Sequence, residues 1–210
     1  MKVMTTRARG KSPLPWLGPG ILIGALVPLA VIVVGASLGR LGANPIEEVL
    51  NEIGLLALIF LVASLACTPL KTFLGWTWPI RVRRQLGLFA FFYAVLHVSV
   101  YAGLDQFGDV RAILDDLSER KFIFVGFATL VLLTPLALTS TSSSIRRLGF
   151  PRWKRLHRLA YLAAPLAVIH FVWRVKRDVT EPVIYAIILA ALLLARVIDG
   201  LRATKAARLT

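Results

Sequence analysis

The sequence predicts an all-α polytopic membrane protein, a bundle of six transmembrane helices with both termini on the cytoplasmic side. Three observations carry this expectation. Hydrophobic residues make up 57% of the 210-residue chain, and the mean hydropathy is +0.74. Only 17% of the residues are charged, against about 25% in soluble domains. The apolar residues also fall into six runs, each close to the roughly 20 residues that cross about 30 Å of hydrocarbon.

The first run is 19–38, "PGILIGALVPLAVIVVGASL", preceded by the basic segment "MKVMTTRARGKSPLPW". That segment resembles the start of a signal peptide. The run after it is long for a signal core and lacks a strong small-residue cleavage site, so it reads as a retained anchor. The second run is 49–69 and the third is 85–104, "QLGLFAFFYAVLHVSVYAGL". The fourth, 122–139, ends in "TSTSSS", a span exit and turn. The fifth is 156–173 and the sixth is 182–198. The chain thus divides into a cytoplasmic N-terminal segment (1–18), a six-helix transmembrane domain (19–199) and a cytoplasmic tail (200–210). No internal repeat is evident. Between runs three and four, "DQFGDVRAILDDLSERK" places Val110, Ile113, Leu114 and Leu117 at helical spacing. It reads as a surface helix on the outer face or a docking site for an extracytoplasmic partner.

The charges sort by side. With the N-terminus inside, 18 of the 25 basic residues fall on inner segments, and of the 11 acidic residues only Asp199 does. This is the positive-inside pattern. The net charge of +14 is therefore topological, and it argues for contact with membrane lipids rather than nucleic acid. Other classes fall away for lack of residues. Cys67 is the single cysteine, so no internal disulfide, iron–sulfur cluster or covalent haem attachment can form. No glycine-rich phosphate loop is present, and reducing equivalents must arrive on another molecule.

The three histidines are the chemistry-bearing residues. His97 lies 13 residues beyond Arg84 on the third run, about 20 Å deep. His170 lies 12 residues beyond Arg158 on the fifth, about 18 Å deep. Both runs travel outward, so the two imidazoles share a depth in the outer half of the membrane. Neutral imidazoles on separate helices can clamp the iron of a planar porphyrin from both sides. The bland alternative is a histidine bonding a neighbouring helix. Intramembrane ionisable groups are functional by default, and two at one depth favour ligation. His157 sits at the inner mouth of run five, about 20 Å from His170 along the axis. On a straight helix the two point about 140° apart. Either Pro165 kinks them toward one axis or they face different pockets. Tyr93 and Tyr101 flank His97 at four-residue spacing and can pack on a porphyrin or bond its carboxylates. Tyr161 lies one turn from His157.

The stretches "RRQLGLFAFFYAVLHVSVY" and "WKRLHRLAYLAAPLAVIHFVWRVK" resemble the MsrQ family, the haem-binding membrane subunits of the bacterial periplasmic methionine-sulfoxide reductase system. More distantly the chain is similar to the ferric reductase and NADPH oxidase membrane domain. The resemblance implies heme b and FMN as cofactors in an inner-membrane protein. It implies quinol or a cytoplasmic flavin reductase as electron donor. The implied acceptor is a periplasmic molybdopterin-dependent catalytic subunit that repairs methionine sulfoxide. On this basis His97 and His170 match the outer haem ligands, and His157 matches the family's inner histidine. The wider superfamily carries a second histidine on the third helix, where this chain has Arg83 and Arg84. His157 is thus open to three roles: single ligand of an inner haem, quinone contact, or FMN contact. Arg147, Arg152 and Arg155 are candidates for an FMN phosphate or a haem propionate. The rival expectations are a stand-alone ferric or quinone reductase and a non-redox transporter.

Overall fold

The computed structural model describes residues 14–175 and 177–209. Residues 1–13, with Lys2, Arg7, Arg9 and Lys11 of the expected N-terminal segment, lie outside the described residues, as does Lys176. Among the described residues the regular structure is entirely helical: α1 (Leu17–Ser37), α2 (Pro45–Leu74), α3 (Trp78–Val100), α4 (Val110–Glu119), α5 (Lys121–Leu138), α6 (Ser142–Leu148), α7 (Phe150–Leu156), α8 (Ala160–Arg174) and α9 (Thr180–Leu209). A π-turn, Tyr101–Asp105, extends α3, and a 3-10 turn, His157–Leu159, joins α7 to α8. Six of these stretches are long and apolar enough to cross a membrane, with α7 and α8 counted as one. The chain is a multi-pass membrane protein.

The boundaries have local causes. Helix α2 starts at Pro45, ahead of the expected 49, because Asn44 caps it, accepting the Glu47 amide, with proline in its first turn. It ends at Gly75, whose φ of 70° is open to glycine without penalty. Asp109 caps α4 by accepting from the amides of Arg111 and Ala112. Thr141, within "TSTSSS", caps α6. The expected tail from residue 200 is instead a continuation of α9 to Leu209. Apart from Gly200 it consists largely of good helix formers and contains no proline.

Two helix pairs dominate the packing, α2 on α3 and α5 on α8. Helix α9 leans on α8 and α2, and α1 leans on α3 and α2. The core runs between the pairs through Leu58, Leu61, Leu65, Ala90, Leu133, Ala163, Ala164 and Val168. Ala90, Ala163 and Ala164 are wholly buried. Small residues at such crossings let backbones approach where lipid offers no hydrophobic drive for association. The two ends of the bundle differ in charge. One, formed by the α2 start, α4 and the α8 end, carries Glu47, Glu48, Asp109, Asp115 and Glu119. The other, formed by α6, α7 and the α3 start, carries Arg81, Arg84, Arg147, Arg152 and Arg155. They are called here the acidic and the basic end.

Candidate functional site

Helices α3 and α8 each carry one histidine toward the acidic end of the bundle. The His97 and His170 ring centroids are 6.2 Å apart, with ring planes 85° from parallel. Each ring is held by its neighbour in the helix pair. His97 Nδ1 lies 3.0 Å from the Leu50 carbonyl oxygen of α2. His170 Nδ1 lies 2.6 Å from the Phe122 carbonyl oxygen of α5. A carbonyl can only accept, so Nδ1 carries the proton in both rings and Nε2 keeps its lone pair.

The two rings border a cavity of about 490 Å³, within the usual range for ligand sites. Its walls are largely apolar, including Leu55, Leu58, Leu61, Ala94, Leu133 and Phe171. Polar groups gather toward the acidic end: Asn44, Glu47, Asn51, Tyr101, Asp105, Arg120 and Arg174. Arg174 donates to the Asn51 side-chain oxygen, and its guanidinium lies 5.9 Å from the Phe171 ring centre. Tyr101 donates to Asp116 Oδ2 at 2.8 Å, and Asp116 Oδ1 pairs with Arg120 Nε at 3.0 Å. Helix α4 covers this end, with Ile113, Leu114 and Leu117 on the cavity wall.

The arrangement fits a haem. Two imidazoles from separate helices, each with Nε2 unprotonated and their centroids 6.2 Å apart, are a donor pair that could hold one iron. An apolar slot suits a flat hydrophobic ring, and Arg174 and Arg120 lie among the mixed polar groups at one end.

The other candidates lie elsewhere. Tyr93 is fully buried, donates to the Ala25 carbonyl of α1 and stacks on Phe60. It faces α1 rather than the cavity, whereas Tyr101 lines the cavity. His157 sits at the basic end, its ring 4.1 Å from Trp153 and its Nε2 3.1 Å from Thr139 Oγ1. His157 and His170 therefore face different surroundings. The Tyr161 hydroxyl accepts from Arg196, which also donates to the Leu65 carbonyl at 2.9 Å. Arg147, Arg152 and Arg155 are exposed on α6 and α7.

Sequence reasoning passed over Gly54 and Gly126. A Cβ at Gly54 would lie 3.1 Å from His97, and one at Gly126 would lie 2.7 Å from His170. Their only signal in the sequence is a glycine in mid-helix. Nor does the sequence display the register they reveal. Leu50 and Phe122 are 72 residues apart, Gly54 and Gly126 are 72 apart, and His97 and His170 are 73 apart. The two helix pairs repeat one plan.

Residues 52–168 match the family model described as ferric reductase like transmembrane component. The chain is 50% identical over 201 residues to the protein-methionine-sulfoxide reductase heme-binding subunit MsrQ of Deinococcus radiodurans, covering 96% of this chain and 99% of the relative. It is 49% identical over 188 residues to the protein of the same description from Rhodospirillum rubrum, covering 90% of each. To that from Caulobacter vibrioides it is 41% identical over 182 residues, covering 87% of each.

Proposed function

The chain belongs to the MsrQ family, and on that premise we propose that it is the haem b electron-transfer subunit of a bacterial inner-membrane methionine-sulfoxide reductase system. Its acceptor is a periplasmic molybdopterin-dependent subunit, which holds the catalytic centre and repairs oxidised periplasmic proteins. Its donor is quinol or a cytoplasmic flavin reductase. The basic end faces the cytoplasm and the acidic end the periplasm, in keeping with the positive-inside rule. The observation that carries the proposal is the pair of imidazoles from separate helices, each tethered through Nδ1, with centroids 6.2 Å apart beside an apolar cavity.

Haem b, when bound, supplies a one-electron couple that no side chain here offers. His97 and His170 would hold its iron through Nε2. The Leu50 and Phe122 carbonyls fix the tautomers and raise the basicity of both ligands. Arg174 and Arg120 would be the cations nearest the porphyrin carboxylates, and the leucine walls would keep water from the ring. At the basic end His157, against Trp153, would take part in electron entry. FMN completes the proposal, with the exposed guanidinium groups of Arg147, Arg152 and Arg155 available to its phosphate.

One preparation tests both cofactors. Purified protein reduced with dithionite should show the α-band of a low-spin haem, and its extract should contain FMN. A spectrum without that band overturns the haem assignment. An extract without flavin removes FMN alone.

A further inference from the structure

We propose that Gly54 and Gly126 are positioning residues for the two histidine ligands: side-chain-less notches through which each imidazole reaches a backbone carbonyl of the neighbouring helix. This rests on haem binding between the histidines. In an α-helix the carbonyl of residue i−4 accepts the amide of residue i. Leu50 and Phe122 stand four residues before Gly54 and Gly126. Each carbonyl therefore serves both the glycine's own amide and a histidine Nδ1–H. The ring reaches it by crossing the glycine, through the space a Cβ would fill. At Gly126 that Cβ would stand 2.7 Å from His170 Nδ1 and 2.8 Å from its Cε1. At Gly54 it would stand 3.1 Å from the same two atoms of His97.

Glycine is the poorest helix former after proline, yet carbonyl, glycine and histidine recur in both helix pairs at offsets of 72, 72 and 73 residues. The contrast with Gly87 on α3 is direct. A Cβ there would meet only Ser64 Oγ at 3.5 Å, an ordinary contact. The notch sets the ring plane and, through the Nδ1 bond, the donor strength of Nε2 toward iron. Filling it pushes the ring off the carbonyl, which weakens the ligand and favours the reduced iron.

The test uses the full-length chain purified with its haem. Gly54→Ala, Gly126→Ala and Gly87→Ala are compared by haem-to-protein ratio, ferric low-spin electron paramagnetic resonance, and midpoint potential. Gly126→Ala should lower haem affinity about 10–100-fold, the range for lost outer-shell partners of metal ligands, and alter the resonance line. Gly54→Ala, with less overlap, should keep haem but raise the midpoint potential. Gly87→Ala should match the parent in all three. If Gly126→Ala does not fold, Gly54→Ala decides: an unchanged potential and line shape overturn the notch. Shifts of equal size in Gly87→Ala overturn it too, since they would mark a general packing effect. A parent chain without haem would sink the site itself, a distinguishable result.

Discussion

Helix α4 is short, and one side-chain hydrogen bond ties it to α3. Tyr101, in the π-turn, donates to Asp116 at 2.8 Å. Tyr101→Phe removes that donor and little else. A hydrogen bond to a charged group contributes about 1.5–3 kcal/mol. Tyr101 is half-buried while Asp116 is 9% exposed, so the low end of about 1.5 kcal/mol applies. At about 1.4 kcal/mol per tenfold, local opening of α4 should become roughly ten times more frequent. Asp116→Asn keeps an acceptor for Tyr101 but makes the bond neutral and breaks the pair with the exposed Arg120. Those losses together come to about 1 kcal/mol, a smaller effect. Hydrogen exchange read by mass spectrometry in nanodiscs is the assay. Amides 110–119 should exchange about tenfold faster in Tyr101→Phe, with α2 and α8 unchanged. Since α4 covers the cavity, haem transfer to apomyoglobin should also speed up. Unaltered exchange in α4 would show that the tyrosine does not hold this cover down.

His97→Ala and His170→Ala should each abolish the low-spin absorption bands, and normal bands in either variant would refute the pairing. His157→Ala should keep most of that absorption while slowing reduction from the basic end in stopped-flow measurements; unchanged kinetics would remove it from the path. Ala163 is fully buried on α8, so Ala163→Leu should destabilise by about 1–3 kcal/mol through overpacking, seen as a lower thermal midpoint in detergent. A midpoint equal to the parent's would mean that this crossing is looser than its burial implies.

The six spans are plain in the sequence because lipid demands long apolar runs, whatever packs against them. That His97 and His170 meet follows from two legible quantities, equal depth and parallel direction. What surrounds them was not legible. Tyr93 and Tyr101 stand symmetrically four residues either side of His97, and only the neighbouring helix decides their fates. Tyr93 meets the Ala25 carbonyl, and Tyr101 meets Asp116. The Gly54 and Gly126 notches belong to a relation between helices, and each glycine alone resembles any other glycine in a span. The repeat of α2–α3 in α5–α8 rests on a glycine and a histidine per pair, spaced through otherwise unlike sequence, and leucine at 50 answers to phenylalanine at 122. The start of α8 also differs from a plain span. The 3-10 turn at His157–Leu159 separates the inner histidine from the helix that bears His170.

Helix α1 has Ala25 as its one buried residue among those described, and that residue's carbonyl receives the Tyr93 hydroxyl. None of its side chains borders the space between the histidines. Helix α1 therefore stands outside the cavity wall and touches the bundle through α3 and α2. Removing it would leave the cavity walls in place but strand the buried Tyr93 hydroxyl without its acceptor.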